Sequence, residues 1–245
     1  MSKINHDQLI QRLVDGQMYS NTRNLKTFLR YLFGDFDFQN KRFIDIGGGA
    51  GLGAFYAAFR GAETAICLEP DAEGSIQGNP QRFDRFKELT NSKAASFVAN
   101  TLQGYTENEV KFDLVLLKNS INHLDEEHCV TLLDSKESQE IYSKLFDKLY
   151  DMTAPGGKII ILDCPRSNFY SRIGLKSPFQ KTIEWEKHQS PTTWASLLEQ
   201  SGFKNPKISW SSFNSLGKMG RVLFGNRIAS YFLLSHFRLE MNRPG

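Results

Sequence analysis

The sequence predicts a doubly wound α/β fold with a largely parallel sheet, and three features carry that reading. Short apolar runs of strand length alternate with helix-period segments from residue 41 to residue 163. The first run, Arg42–Ile46, enters a glycine-rich stretch at 47–53. A later helix stops at Ala154-Pro155-Gly156-Gly157, directly before another apolar run. Runs that are apolar at consecutive positions suit strands covered on both faces, and right-handed crossovers then fix most of the connections.

Taken in order, residues 7–34 show helical apolar spacing at Leu9, Ile10, Leu13 and Val14, then at Leu25, Phe28, Leu29 and Leu32. Gly16 splits them into two helices. The glycine stretch leads into a helix containing Phe55, Ala57 and Phe59. Ala65–Leu68 reads as the second strand, Asn79–Thr90 as a polar helix, Ser96–Ala99 as the third strand and Phe112–Leu117 as the fourth. A helix over Ser138–Met152 precedes the fifth strand, Lys158–Asp163. Residues 164–190 have little periodicity, and loops of that length are commonly functional. Ser190 as N-cap and Pro191 at the first helical position open a helix over Thr192–Ser201, which Gly202 ends. Strand-like runs at Lys207–Trp210 and Ile228–Phe237 follow, separated by Ser211–Arg227.

A chain of 245 residues buries a full core without disulfides or metals. Its 40% hydrophobic and 23% charged residues exclude collagen-like, coiled-coil and wholly disordered classes. No apolar run reaches the roughly 20 residues of a membrane span, and the first residues lack a signal-peptide pattern. Cys67, Cys129 and Cys164 are far apart, which points to a reducing cytoplasm and to no metal site. The net charge of +3 hides an asymmetry. From Cys164 onward 12 basic residues face 4 acidic ones, so the preceding part is acidic. A basic end region steers an anionic partner or forms a solvated basic face.

The richest motif is Asp45-Ile46-Gly47-Gly48-Gly49-Ala50-Gly51. A strand ending in an acid turns through glycines, which lets the backbone approach a ligand, while the next helix aims its amides into the same crevice. Glu69 ends the second strand, where a carboxylate accepts hydrogen bonds from ribose hydroxyls. Gly49-Ala50-Gly51-Leu52-Gly53-Ala54 also fits a dinucleotide turn, so a nicotinamide oxidoreductase is an alternative.

The register of Asp45 with Gly47, Gly49 and Gly51 resembles the first motif of class I S-adenosylmethionine-dependent methyltransferases. Glu69 matches that family's ribose-binding acid, Phe112–Leu117 its fourth strand and Ala154–Ile159 the turn before its fifth. The resemblance implies a Rossmann-like, seven-stranded mixed sheet in a single domain, with one antiparallel strand in the last pair. It also implies S-adenosyl-L-methionine as cofactor. The chain then divides into an N-terminal helical cap (1–40), a cofactor-binding core (41–163), a lid after strand five (164–190) and a C-terminal helix with strands (191–245). Asp45 and the glycine turn would face the methionine end, Glu69 the ribose, and Pro70 and Asp71 the adenine. The family often has an acid after the third strand; here Asn100 and Thr101 stand there, with Asn100 offering a side-chain oxygen to the adenine amino group. Asn119 would line the sulfonium end.

Methyl transfer to a hydroxyl needs alignment and removal of a proton, for which histidine suits neutral pH. His123, past the fourth strand, is one candidate base, against a packing role; His188, late in the lid, is a second, against a surface role. Asp163 ends strand five and either orients a substrate or caps the next turn. Interleaved basic and aromatic residues at 164–190, among them Arg166, Tyr170 and Trp185, suit a small or medium acceptor with anionic and flat or greasy parts. They suit nucleic acid too, but the small overall charge and lack of an appended module weigh against it. Lys218–Phe224 reads either as an amphipathic element touching a membrane beside a lipid-like substrate, or as a packed connection.

Overall fold

The computed structural model describes residues 4–70, 78–106 and 109–245. Two N-terminal helices, α1 (His6–Asp15) and α2 (Thr22–Phe33), precede the sheet. Each starts on an asparagine whose side chain accepts an amide hydrogen bond three residues on, and at α1 Gln8 returns one to the Asn5 backbone. Then come β1 (Arg42–Ile46), α3 (Leu52–Phe59), β2 (Thr64–Leu68), α4 (Asn79–Thr90), β3 (Ala95–Val98) and β4 (Phe112–Lys118). A short α5 (Glu126–Val130) and the long α6 (Lys136–Met152) lead to β5 (Thr153–Asp163). After α7 (Phe169–Arg172) the chain runs through α8 (Pro191–Gln200), β6 (Lys204–Trp210), α9 (Gly217–Phe224), α10 (Arg227–Phe232) and β7 (Phe237–Asn242).

The strands form one seven-stranded mixed sheet in the order β3-β2-β1-β4-β5-β7-β6. β1 to β5 are parallel, and β7 lies antiparallel between β5 and β6. The order reverses between β1 and β4, and in such sheets ligands bind beyond the carboxyl ends of the strands at that point. One face is covered by α6 and α8, whose Tyr142, Phe146 and Trp194 pack on Val115, Ile159 and Leu239. The other is covered by α1 to α4 through Leu13, Leu29, Phe55 and Phe83. Near-continuous apolar strands follow from burial on both sides.

The largest differences from the sequence reading lie in β5, in β6, which begins at Lys204 ahead of the expected Lys207, and at the end of the chain. β5 begins at Thr153, ahead of the expected Lys158, because Thr153 pairs with Phe112 across a register shift. The larger correction concerns Ile228–Phe237, which is not a strand. Asn226 caps α10 by accepting the Ala229 amide, and Ile228 and Phe232 point to solvent. The final strand is instead Phe237–Asn242, where apolar and polar residues alternate. Its polar face is buried: Arg238 donates to the Leu32 carbonyl at 2.7 Å and to Glu240 at 2.7 Å, and Lys158 reaches Glu240 at 2.8 Å.

Candidate active site

A cleft of about 850 Å³ opens at the carboxyl ends of β1, β2 and β4. The turn after β1 forms its floor. Gly47 has φ +69°, and a Cβ there would sit 2.4 Å from that of Ser120. Gly49 has φ +57°, and a Cβ there would meet nothing within 4 Å. That backbone faces open space, which is what close approach of a ligand needs. Gly51 caps α3 and, with Phe83 against it, fixes the end of the turn.

Glu69 stands just past β2. One carboxylate oxygen accepts the Gly49 amide at 3.0 Å and the other the Asn79 side-chain amide at 3.2 Å. The turn, the acid and the start of α4 are thereby held as one unit, with further acceptor capacity left on the carboxylate. Asp45 lies beneath them, fully buried, with the Gly53 backbone amide turned toward its carboxylate. Burial raises its carboxyl to about 7; Lys118 and the Gly53 amide offset part of this and Glu69 adds to it.

Pro70, Asn100, Thr101 and Asn119 line the same cleft. Asn100 already uses its side-chain oxygen to accept the Thr101 amide at 2.8 Å and donates to the Gly104 carbonyl at 3.0 Å. Asp71 falls outside the described residues. Asn79, Arg82 and Lys118 line the cleft as well and were not singled out by the sequence reading. For Asn79 a signal existed in Gly78-Asn79-Pro80, a helix start facing the glycine turn.

Next to this cleft lies a pocket of about 170 Å³, and Asn119 and His123 line both. Asn119 has φ +54°, a conformation asparagine tolerates better than most residues, and its amide is tied to the Leu162 carbonyl at 2.7 Å. The pocket's back wall is the end of β5. There Asp163, fully buried, contacts Nδ1 of His188 at 2.9 Å, while its second oxygen has no partner. His236, just before β7, joins them; burial lowers its pKa, and its Nδ1 lies 2.8 Å from the Leu234 carbonyl. His236 escaped the sequence reading because it fell inside the misassigned strand.

His123 is half exposed and its Nδ1 contacts Glu126. Lys187 bridges Glu184 at 2.9 Å and Glu126 at 3.1 Å, closing the pocket's outer rim. Arg166 and Trp185 are not in this pocket. They line a separate groove of about 520 Å³ formed by 166–186, with Arg172, Lys176 and Lys181. Arg166 donates to the Val130 carbonyl at 3.1 Å. The groove and the pocket share Ile183. Tyr170 packs edge-on against Phe169.

A family model described as a methyltransferase domain matches residues 16–207, which hold all the residues lining the cleft and all those lining the pocket except His236. The chain belongs to the class I S-adenosylmethionine-dependent methyltransferases. The match removes the nicotinamide alternative, and S-adenosyl-L-methionine is the cofactor of this methyltransferase. The cleft suits it: a glycine turn open to ligand, an acid with spare acceptor capacity and a fully buried carboxylate beneath the turn. Among solved structures, a SAM-dependent methyltransferase from Aquifex aeolicus is 12% identical, with a TM-score of 0.58 over 89% of this chain and 88% of its own. Another, from Mesorhizobium loti, is 14% identical with a TM-score of 0.59, covering 90% and 98%. The cyclase SpnF is 11% identical with a TM-score of 0.57, covering 98% and 93%. At these identities the likeness is one of fold, and the cyclase illustrates how one fold hosts different chemistry. No curated protein matches the sequence.

Proposed function

We propose that the methyltransferase acts on an oxygen of a small or medium organic acceptor bearing an anionic group, with His188 as the base. The observation that carries this reading is the pocket sharing Asn119 and His123 with the cofactor cleft and ending on the buried Asp163–His188 pair. S-adenosyl-L-methionine supplies a methyl carbon made electrophilic by a sulfonium. On the protein side, Glu69 would take the ribose hydroxyls, Asp45 and the turn of Gly47, Gly49 and Gly51 would serve the methionine end, and Pro70, Asn100 and Thr101 would flank the adenine. Asn119 borders the reacting end.

Asp163 accepts from Nδ1–H of His188, which fixes the tautomer and leaves Nε2 free to take the hydroxyl proton as the acceptor oxygen becomes nucleophilic. The carboxylate beside it then stabilises the imidazolium. An anionic part of the acceptor would rest in the groove holding Arg166 and Trp185, which abuts the pocket at Ile183. Tyr170 lies outside that groove's lining and is linked to it through its carbonyl, which accepts the Leu175 amide at 2.9 Å. His123, exposed and tied to Glu126, is the second candidate base. The three unpaired, buried cysteines suit work in a reducing cytoplasm.

The test is transfer of labelled methyl to a panel of hydroxy acids and phenolic acids. His188→Gln and Asp163→Asn are expected to lower kcat by about 10²–10⁴-fold, with S-adenosylhomocysteine affinity unchanged. His123→Gln should lower it far less. Full turnover by His188→Gln would refute the assignment, and loss confined to His123→Gln would transfer the role.

A further inference from the structure

Helix α9 carries its polarity inside out. Arg221 turns inward, donating to the Thr27 carbonyl at 2.7 Å with its guanidinium 5.1 Å from the Tyr31 ring centre. Met219, Val222 and Leu223 point outward at 71%, 83% and 58% exposure. Their spacing of three and four places them on one helix face. The next helix continues the pattern, with Ile228 75% and Phe232 43% exposed. Isolated exposed apolar residues are ordinary, but a run of aliphatics on successive helices is not.

The lid belongs to the same face. Phe169 of α7 packs on Phe232 at 5.0 Å, Phe179 on Phe213 at 5.6 Å, and Gln180 hydrogen-bonds to the Leu234 carbonyl. Ile173 and Leu175 add further exposed aliphatics there. These two joined segments have a one-sided charge: residues 164–183 and 200–239 contain no Asp or Glu, against ten Lys and Arg. Arg172, Lys176, Lys181, Lys218 and Arg227 are exposed among the aliphatics.

We infer that this face, built from α9, α10 and the outer lid, docks on an anionic lipid surface. Outward aliphatics ringed by cations that outnumber the neighbouring Glu184 and Glu186 match an interfacial helix element. A second copy fits poorly, since two faces of the same positive charge repel. Nucleic acid would leave the aliphatic residues without a partner. No helix among the described residues is long and apolar enough to cross a membrane, so the contact is peripheral. Docking brings the segment that walls the small pocket to the headgroups, and the inference holds whichever atom is methylated.

Co-sedimentation of the full chain with vesicles tests this. Wild-type protein is expected to pellet with phosphatidylcholine vesicles containing about one quarter phosphatidylglycerol, and at least about tenfold less with pure phosphatidylcholine. Val222→Glu with Leu223→Glu should cut the anionic partitioning by about tenfold or more. Both positions are exposed, and unchanged S-adenosylhomocysteine binding checks that the variant is folded. Failure of wild type to pellet with anionic vesicles would overturn the inference, as would a folded variant that pellets like wild type. So would a wild-type dimer that the double variant splits, because a second copy would then be the occupant.

Discussion

Asp45→Asn should make the methyltransferase without cofactor more stable relative to wild type as pH rises. The wild-type carboxyl is fully buried and is raised from 3.8 to about 7, burial outweighing Lys118 and the Gly53 amide. A raised acid favours the folded state only while protonated, so the advantage is complete below pH 3.8 and is lost as pH climbs through 7. At about 1.4 kcal/mol per pH unit, the interval between those two values costs about 4 kcal/mol at pH 8, of which about 2.5 kcal/mol develops between pH 5 and pH 8. Asn has the same shape and no titration. Whatever its amide costs in that site is independent of pH and cancels when the gap between the proteins is compared across pH. For a chain of this size the changing gap corresponds to roughly 5–10 °C in Tm. The assay is thermal melting of both proteins, free of cofactor, in matched buffers from pH 5 to pH 8. A gap that stays constant, or that closes as pH rises, would refute the argument that burial raises the Asp45 carboxyl.

Three further predictions rest on the same cleft and core. Glu69→Ala removes the acceptor for Gly49 and Asn79 and the proposed one for the ribose, and should weaken S-adenosylhomocysteine binding by about 10–100-fold in calorimetry. Gly47→Ala combines a left-handed backbone with a Cβ pressed onto Ser120, so it should cost at least about 2 kcal/mol in denaturant unfolding and lose cofactor binding as well. The cysteines should resist a thiol reagent at pH 7 until the protein is unfolded, because burial pushes the Cys129 thiol to about 11 and raises Cys67 and Cys164 also; rapid labelling of the native protein would contradict this.

Local chemistry made the core of this fold legible. The glycine turn, the acid at the end of β2 and the caps at Ser190 and Gly202 each depend on a few neighbouring residues, and all stand where the sequence put them. The last two strands were harder. Ile228-Ala229-Ser230-Tyr231-Phe232 looks like a buried strand, yet Asn226 starts a helix there and its apolar side chains face outward. The strand that closes the sheet carries Arg238 and Glu240, whose burial depends on α2, about 200 residues away in the chain. The same limit applies to the acceptor side. Asp163 and His188 were each singled out, but their contact across 25 residues exists only through the lid. Arg166 and Trp185, close to them in sequence, turn into a different groove.

The placement of β7 sets an order of assembly. Strands β1 to β5 join through local crossovers and form a continuous sheet without help from later residues. β6 is synthesised before β7 but touches the sheet only through it. Until residue 242 has left the ribosome, β6 has no strand partner and the outer edge of β5 is bare. The half of the molecule that holds the large cleft can therefore be complete while the walls of the small pocket are still unanchored. A nascent chain stalled before β7 would present an open strand edge beside α9 and α10, which makes that interval the one in which a chaperone has something to hold.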